Sequence, residues 1–132
     1  MSAPVELLKQ VPLFQGLERD HIEMVARSFK ERTFPAGSTV TSEGQGGVGF
    51  FVIEDGSATV SIGGDERRKL GAGDYFGELA LIDDSPRSAT IVADTDLKCW
   101  GLTSWEFRPL VESNASIAWS MLQTMAQRLR KT

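Results

Sequence analysis

Glycine interrupts the middle of this chain at short intervals: Gly37, Gly44, Gly46, Gly47, Gly49, Gly56, Gly63, Gly64, Gly71 and Gly73. A helix of ordinary length, about 11 residues, does not fit between such breaks, and each interior glycine would weaken one by about 1 kcal/mol relative to alanine. What lies between the glycines has the composition of strands: 32–34, 39–41, 49–53, 58–62 and 67–70. The residues Asp74-Tyr75-Phe76 form a further short segment, and 88–93 and 97–102 follow around an Asp94-Thr95-Asp96 turn. Turn chemistry separates them at Pro35-Ala36-Gly37, Glu54-Asp55-Gly56 and Gly63-Gly64-Asp65. Short strands at near-regular spacing predict an antiparallel sandwich or barrel, and about eight is the number of a jelly roll.

Helices flank this region. A short helix is expected over 5–11, broken at Pro12, and a second over 18–29. Leu17, Ile22, Val25, Ala26 and Phe29 share one face of the second, which is expected to pack on a sheet. Near the other end, Ser104 is expected to cap a helix over 104–112 that Pro109 strains or ends early. Asn114 is expected to cap the last helix, over 115–130, whose apolar positions include Ile117, Ala118, Met121, Leu122 and Met125. The two methionines suit a surface that repacks between states. The expectation is one mainly β domain over 1–132: helices over 1–29, an eight-stranded antiparallel jelly-roll barrel over 30–103, and two helices over 104–132.

The chemistry concentrates in 76–90, Phe-Gly-Glu-Leu-Ala-Leu-Ile-Asp-Asp-Ser-Pro-Arg-Ser-Ala-Thr. Glu78 to Ile82 can make about one helical turn after Gly77. The first N–H groups of such a turn are unpaired and suit a small anion. Asp83-Asp84-Ser85-Pro86 reverses the chain, and Arg87 can then reach the same anion as a bidentate fork. Ser88 adds a hydroxyl and an N–H. Glu78 would repel a bare phosphate, but a carboxylate accepts hydrogen bonds from a sugar hydroxyl. Acid and arginine together point to a compact nucleotide that presents phosphate and ribose on one face.

Gly-Glu-Leu-Ala-Leu followed by Pro-Arg-Ser-Ala-Thr resembles the phosphate-binding cassette of the cyclic nucleotide-binding domain family, which includes the catabolite activator protein and the regulatory subunits of cAMP-dependent protein kinase. The resemblance implies that Arg87 holds the cyclic phosphate and Glu78 the ribose 2′-hydroxyl. It implies backbone contacts from Gly77, Leu79 and Ala80, a phosphate contact from the Ser88 hydroxyl, and a backbone N–H from Ala89. In eukaryotic members a threonine directly after the cassette arginine accompanies cGMP preference and an alanine accompanies cAMP. Ser88 is intermediate, and the bacterial resemblance favours cAMP, with cGMP the second candidate. Val60, Ile62 and Leu70 are candidates for an apolar wall behind sugar and base, or ordinary core. In this family the last helix often caps the base, which makes Gln123, Gln127, Arg128 and Thr132 candidate lid residues.

Other classes find little support. A net charge of −4 argues against direct nucleic-acid binding. No apolar run approaches the roughly 20 residues of a membrane helix, and no signal peptide is visible, so a cytoplasmic location is expected. One cysteine, Cys99, and one histidine, His21, offer almost nothing to a metal site; Cys99 is expected in a strand core and His21 in solvent. The glycine-rich 44–47 segment lacks the Gly-Lys-Ser/Thr ending of a triphosphate loop and is expected to be a hairpin loop. Nothing assembles a catalyst or calls for a cofactor beyond the ligand. The expectation is a non-enzymatic cyclic nucleotide sensor that signals through its C-terminal helices to an effector protein or domain, or to a second copy through the last helix. Its alternatives are a jelly-roll interaction domain without ligand, and the regulatory piece of a transcription factor or other effector.

Overall fold

The computed structural model of the chain describes residues 2–42, 44, 49–77, 81–82 and 89–131. Helix α1 spans Val5–Leu8, a 3-10 turn covers Pro12–Phe14, and α2 spans Arg19–Ser28. Eight strands follow: β1 Lys30–Phe34, β2 Thr39–Thr41, β3 Phe50–Asp55, β4 Ala58–Ile62, β5 Asp65–Leu70, β6 Tyr75–Phe76, β7 Thr90–Ala93 and β8 Leu97–Leu102. Helices α3, Ser104–Ser113, and α4, Ala115–Arg130, complete the fold. The strands form two antiparallel four-stranded sheets, ordered β1-β8-β3-β6 and β2-β7-β4-β5. This is the jelly roll with flanking helices that the glycine pattern implies.

The first sheet is buried on both faces at its centre. Alternate side chains of a strand point to opposite faces. Phe50 and Val52 of β3, with Trp100 and Leu102 of β8, face a core shared with the helices. Phe51, Ile53 and Cys99 face the second sheet, where they meet Ala58, Val60, Leu70, Ile91 and Ala93. Cys99 is fully buried, as expected, and burial pushes its thiol up to about 12. Phe50 makes edge-to-face contacts with Phe14 and Phe29, both at 5.9 Å between centroids. It thereby joins the 3-10 turn, the end of α2 and the sheet. Ile22, Val25, Ala26 and Phe29 are buried, so the α2 face packs as predicted.

Several local expectations are corrected. Helix α1 ends at Leu8, and the break at Pro12 is itself a 3-10 turn with proline at its first position, where a missing N–H has no partner to lose. Thr103, not Ser104, caps α3: its N–H donates to Glu106 Oε1 at 3.1 Å and its hydroxyl donates to the same oxygen at 2.7 Å. Pro109 does not end α3, which runs to Ser113. A proline there removes the bond to the carbonyl four residues earlier, on Trp105, and its ring crowds that carbonyl. Burial of Phe107 and the Thr103–Glu106 cap hold the rest. Asn114 does stand at the start of α4, but its side-chain amide donates back to the Leu110 carbonyl at 2.9 Å, so it closes α3. Helix α4 lies against α3 and the 3-10 turn. A methyl group added at Gly16 would lie 2.8 Å from Ser120 Oγ. A side chain there would require the Ser120 hydroxyl to rotate away.

Replacing Phe50 with alanine should destabilise the domain by roughly 3–5 kcal/mol in chemical denaturation, as expected for a fully buried phenylalanine; a loss below about 1 kcal/mol would contradict its central place. Two carboxylates make acid stability a second check. The hydrogen bond from Trp100 Nε1, at 2.7 Å, and then Lys98, at 2.9 Å, hold Glu54 below its usual range. Burial pushes Glu106 up, but hydrogen bonds from Lys30 and Thr103 outweigh it and leave it lowered. A carboxylate lowered in the native state adds stability above its ordinary value of 4.5, and that stability is lost as pH falls through the native value. Denaturation midpoints should therefore drop below pH 4.5, and Glu54→Gln should flatten the drop; a midpoint indifferent to acid would refute this account.

Candidate functional site

The stretch 76–90 is tied to the rest of the fold at three places. Its approach is fixed first. Asp74 Oδ2 accepts the Gly71 N–H at 2.7 Å, the Gly73 N–H donates to the Ile53 carbonyl at 2.8 Å, and the Ile53 N–H donates to the Asp74 carbonyl at 2.8 Å. Tyr75 and Phe76 then pair with Val52 and Phe51, and the Phe76 ring stacks on Phe51 at 5.3 Å. Gly77 follows with φ of 80°, a left-handed backbone that favours glycine. The chain leaves the first sheet there and turns sharply.

The far end belongs to the other sheet. Ala89 is half-buried against the inter-sheet core, and its carbonyl accepts the Thr41 hydroxyl at 3.4 Å. Thr90 pairs with Ser61 and Ile91 with both Val60 and Thr41. Between these ends, Leu81 is buried in the helix-side core with Phe107, Ile117 and Met121. Glu78, Leu79, Ala80, Arg87, Ser88 and Thr132 lie outside the described residues, as do residues 45–47 of the glycine-rich loop.

Of the proposed apolar wall, Val60 and Leu70 are buried between the sheets and Ile62 is exposed. The lid candidates Gln123, Gln127 and Arg128 are exposed on α4. Sequence reasoning missed Thr41, a buried polar residue whose hydroxyl holds Ala89; a threonine in a three-residue strand carries no signal of that role. It also missed a groove of about 630 Å³ between Leu81, Ile82, α3 and α4, with Trp105, Phe107, Met121 and Leu122 in its walls. Trp105, Trp119 and Leu122 are more than half exposed.

Metal chemistry gains little. His21 is half-buried, and its imidazole lies with the carboxylates of Glu18 and Asp20 inside 4.8 Å. These residues open α2, where the helix dipole favours anions and disfavours a cation. Among the described residues, no helix is long and apolar enough to cross a membrane.

The sequence profile of the cyclic nucleotide-binding domain matches residues 31–114, from β1 to the start of α4. The chain belongs to the cyclic nucleotide-binding domain family. A cyclic nucleotide-gated potassium channel of Rhizobium etli is 37% identical over 93% of this chain and 34% of its own length. A cAMP-dependent protein kinase regulatory subunit of Aspergillus niger is 43% identical over 69% of this chain and 23% of its own length. The crystal structure of the N-terminal domain of a transcriptional regulator from Streptomyces coelicolor A3(2) superposes with a TM-score of 0.89 at 28% identity, covering 95% of this chain and 93% of that one. The chain thus spans about a third of the first of these curated relatives and about a quarter of the second.

Gly77→Ala should destabilise the domain by about 1–2 kcal/mol, the penalty of a left-handed backbone for a residue with a Cβ. Urea titration would read it, and a neutral result would mean the backbone at 77 is not left-handed.

Proposed function

We propose that this domain is a cyclic nucleotide sensor that binds cAMP, with cGMP the second candidate, and does not turn either over. What supports the reading is the cassette sequence on a segment anchored to both sheets and, through Leu81, to the helix-side core. In this reading Arg87 holds the phosphate as a charge-assisted fork and Glu78 accepts the ribose 2′-hydroxyl. Gly77, Leu79 and Ala80 contribute backbone groups, and Ser88 and the Ala89 N–H complete the phosphate contacts.

The signal leaves through the helices. Leu81 shares a core with Phe107 of α3 and Met121 of α4. Ligand that draws the cassette toward the barrel changes what Leu81 offers those helices, and α3 and α4 shift in population toward the bound arrangement. The size of that shift is limited by the ligand's differential affinity for the two arrangements. The output is an effector protein or domain, or a second copy met through α4, in the cytoplasm.

Isothermal titration with cAMP and cGMP tests the reading. Wild type should bind at one saturable site. Arg87→Ala and Glu78→Ala should each weaken binding by roughly 2–5 kcal/mol; equal affinity in either variant would remove that residue's role. Trp105 and Trp119 flank the moving helices and should change emission on binding. Fixed spectra under saturating ligand would remove the helix signal, and release of a linear nucleotide from cAMP would make the protein an enzyme.

A further inference from the structure

Strand β2 departs from regular pairing where it nears the end of the cassette. Thr39 stands opposite Val92 of β7, but Thr41 stands opposite Ile91, so β2 carries one extra residue between the two pairs. Such a bulge sets two residues of one strand against one of its partner and re-aims their side chains. In unbroken register Val40 would stand opposite Ile91, which faces the inter-sheet core, and Thr41 would stand opposite Thr90 on the other face. The bulge therefore turns a hydroxyl toward an apolar core that a valine could have filled. Thr41 is 7% exposed, and among the described residues it is the only buried polar one.

Burying a hydroxyl is unfavourable unless it is hydrogen-bonded. The Thr41 hydroxyl donates to the Ala89 carbonyl at 3.4 Å. Ala89 lies past the last paired residue of β7 on both sides, Thr90 toward β4 and Ile91 toward β2. At the other end of β7 the backbone makes the tie: the Gly37 N–H donates to the Ala93 carbonyl at 2.7 Å, and the Ala93 N–H donates to the Ser38 carbonyl at 2.9 Å. At the cassette end no register pair extends to Ala89, and a side chain from the bulged strand reaches it instead.

We infer that Thr41 is a positioning residue for ligand binding: its hydroxyl holds Ala89 in the place from which the Ala89 N–H meets the phosphate of a cyclic nucleotide. The inference rests on the cyclic nucleotide reading above, and Thr41 itself touches no ligand atom in it. The competing account is that Thr41 is a β-branched side chain suited to its strand, whose hydroxyl is satisfied and does nothing more.

The test is isothermal titration with cAMP and cGMP, alongside urea denaturation, of wild type, Thr41→Val and Thr41→Ser. Valine keeps the shape and removes the hydroxyl; serine keeps the hydroxyl and removes a methyl group. Thr41→Val should weaken cAMP about tenfold, the scale of one lost hydrogen bond. Thr41→Ser should bind within about threefold of wild type. Stability alone cannot give that order, because serine loses buried apolar surface and valine gains it. Thr41→Val that binds as wild type does, or a serine variant as weak as the valine one, overturns the role of Thr41 and leaves the sensor reading standing. Wild type that binds neither nucleotide overturns both. Should Thr41→Val not fold, Thr41→Ala, which leaves room where valine fills it, reads the same loss against serine.

Discussion

The fold depends on β3 being buried on both faces. Phe50 and Phe51 are neighbours in sequence and point into different cores: Phe50 into the helix-side cluster, Phe51 into the space between the sheets. A strand with one wet face could support a barrel or a helical layer, not both. Here the same six residues carry the two. Strand β8 does likewise, with Trp100 on the helix side and Cys99 between the sheets. The Trp100 indole remains satisfied because Glu54 reaches it, and Lys98 balances Glu54 in turn. The apolar centre is thus closed by a small polar network at its rim.

The cassette inherits its position from that strand. It begins where Phe76 stacks on Phe51 and ends where Ala89 meets Thr41, so its two ends report on different sheets. Leu81, between them, belongs to neither sheet but to the helical core. Leu81 is thus the packed side chain that connects this segment to α3 and α4. A groove of about 630 Å³ lies open beside Leu81, between α3 and α4.

Much of this was legible in the sequence because glycine and apolar alternation are local signals. The eight strands and the three longer flanking helices, α2, α3 and α4, fall where pattern places them, to within a few residues at their ends. What failed was finer. Thr103 and Ser104 are both good caps, and only the reach of Glu106 chooses between them. Pro109 reads as a helix breaker, yet the tertiary burial of Phe107 outweighs one missing hydrogen bond. The cassette itself was read from residue chemistry and resemblance; of its residues, Gly77 follows the last pair of the first sheet and Ala89 precedes the strand of the second.

The crossing at Gly16 has a mechanical consequence. Ser120 lies against a backbone with no side chain, and Thr124 beside it returns its own hydroxyl to the Ser120 carbonyl at 3.1 Å. The turn and the helix come close there, and α4 is pinned beside that point by Ile117 and Met121, which share a buried core with Leu13 and Phe14 of the turn. Segments from opposite ends of the sequence thereby form a single joint, and the turn, tied through Phe14 to Phe50, fixes that joint to the barrel.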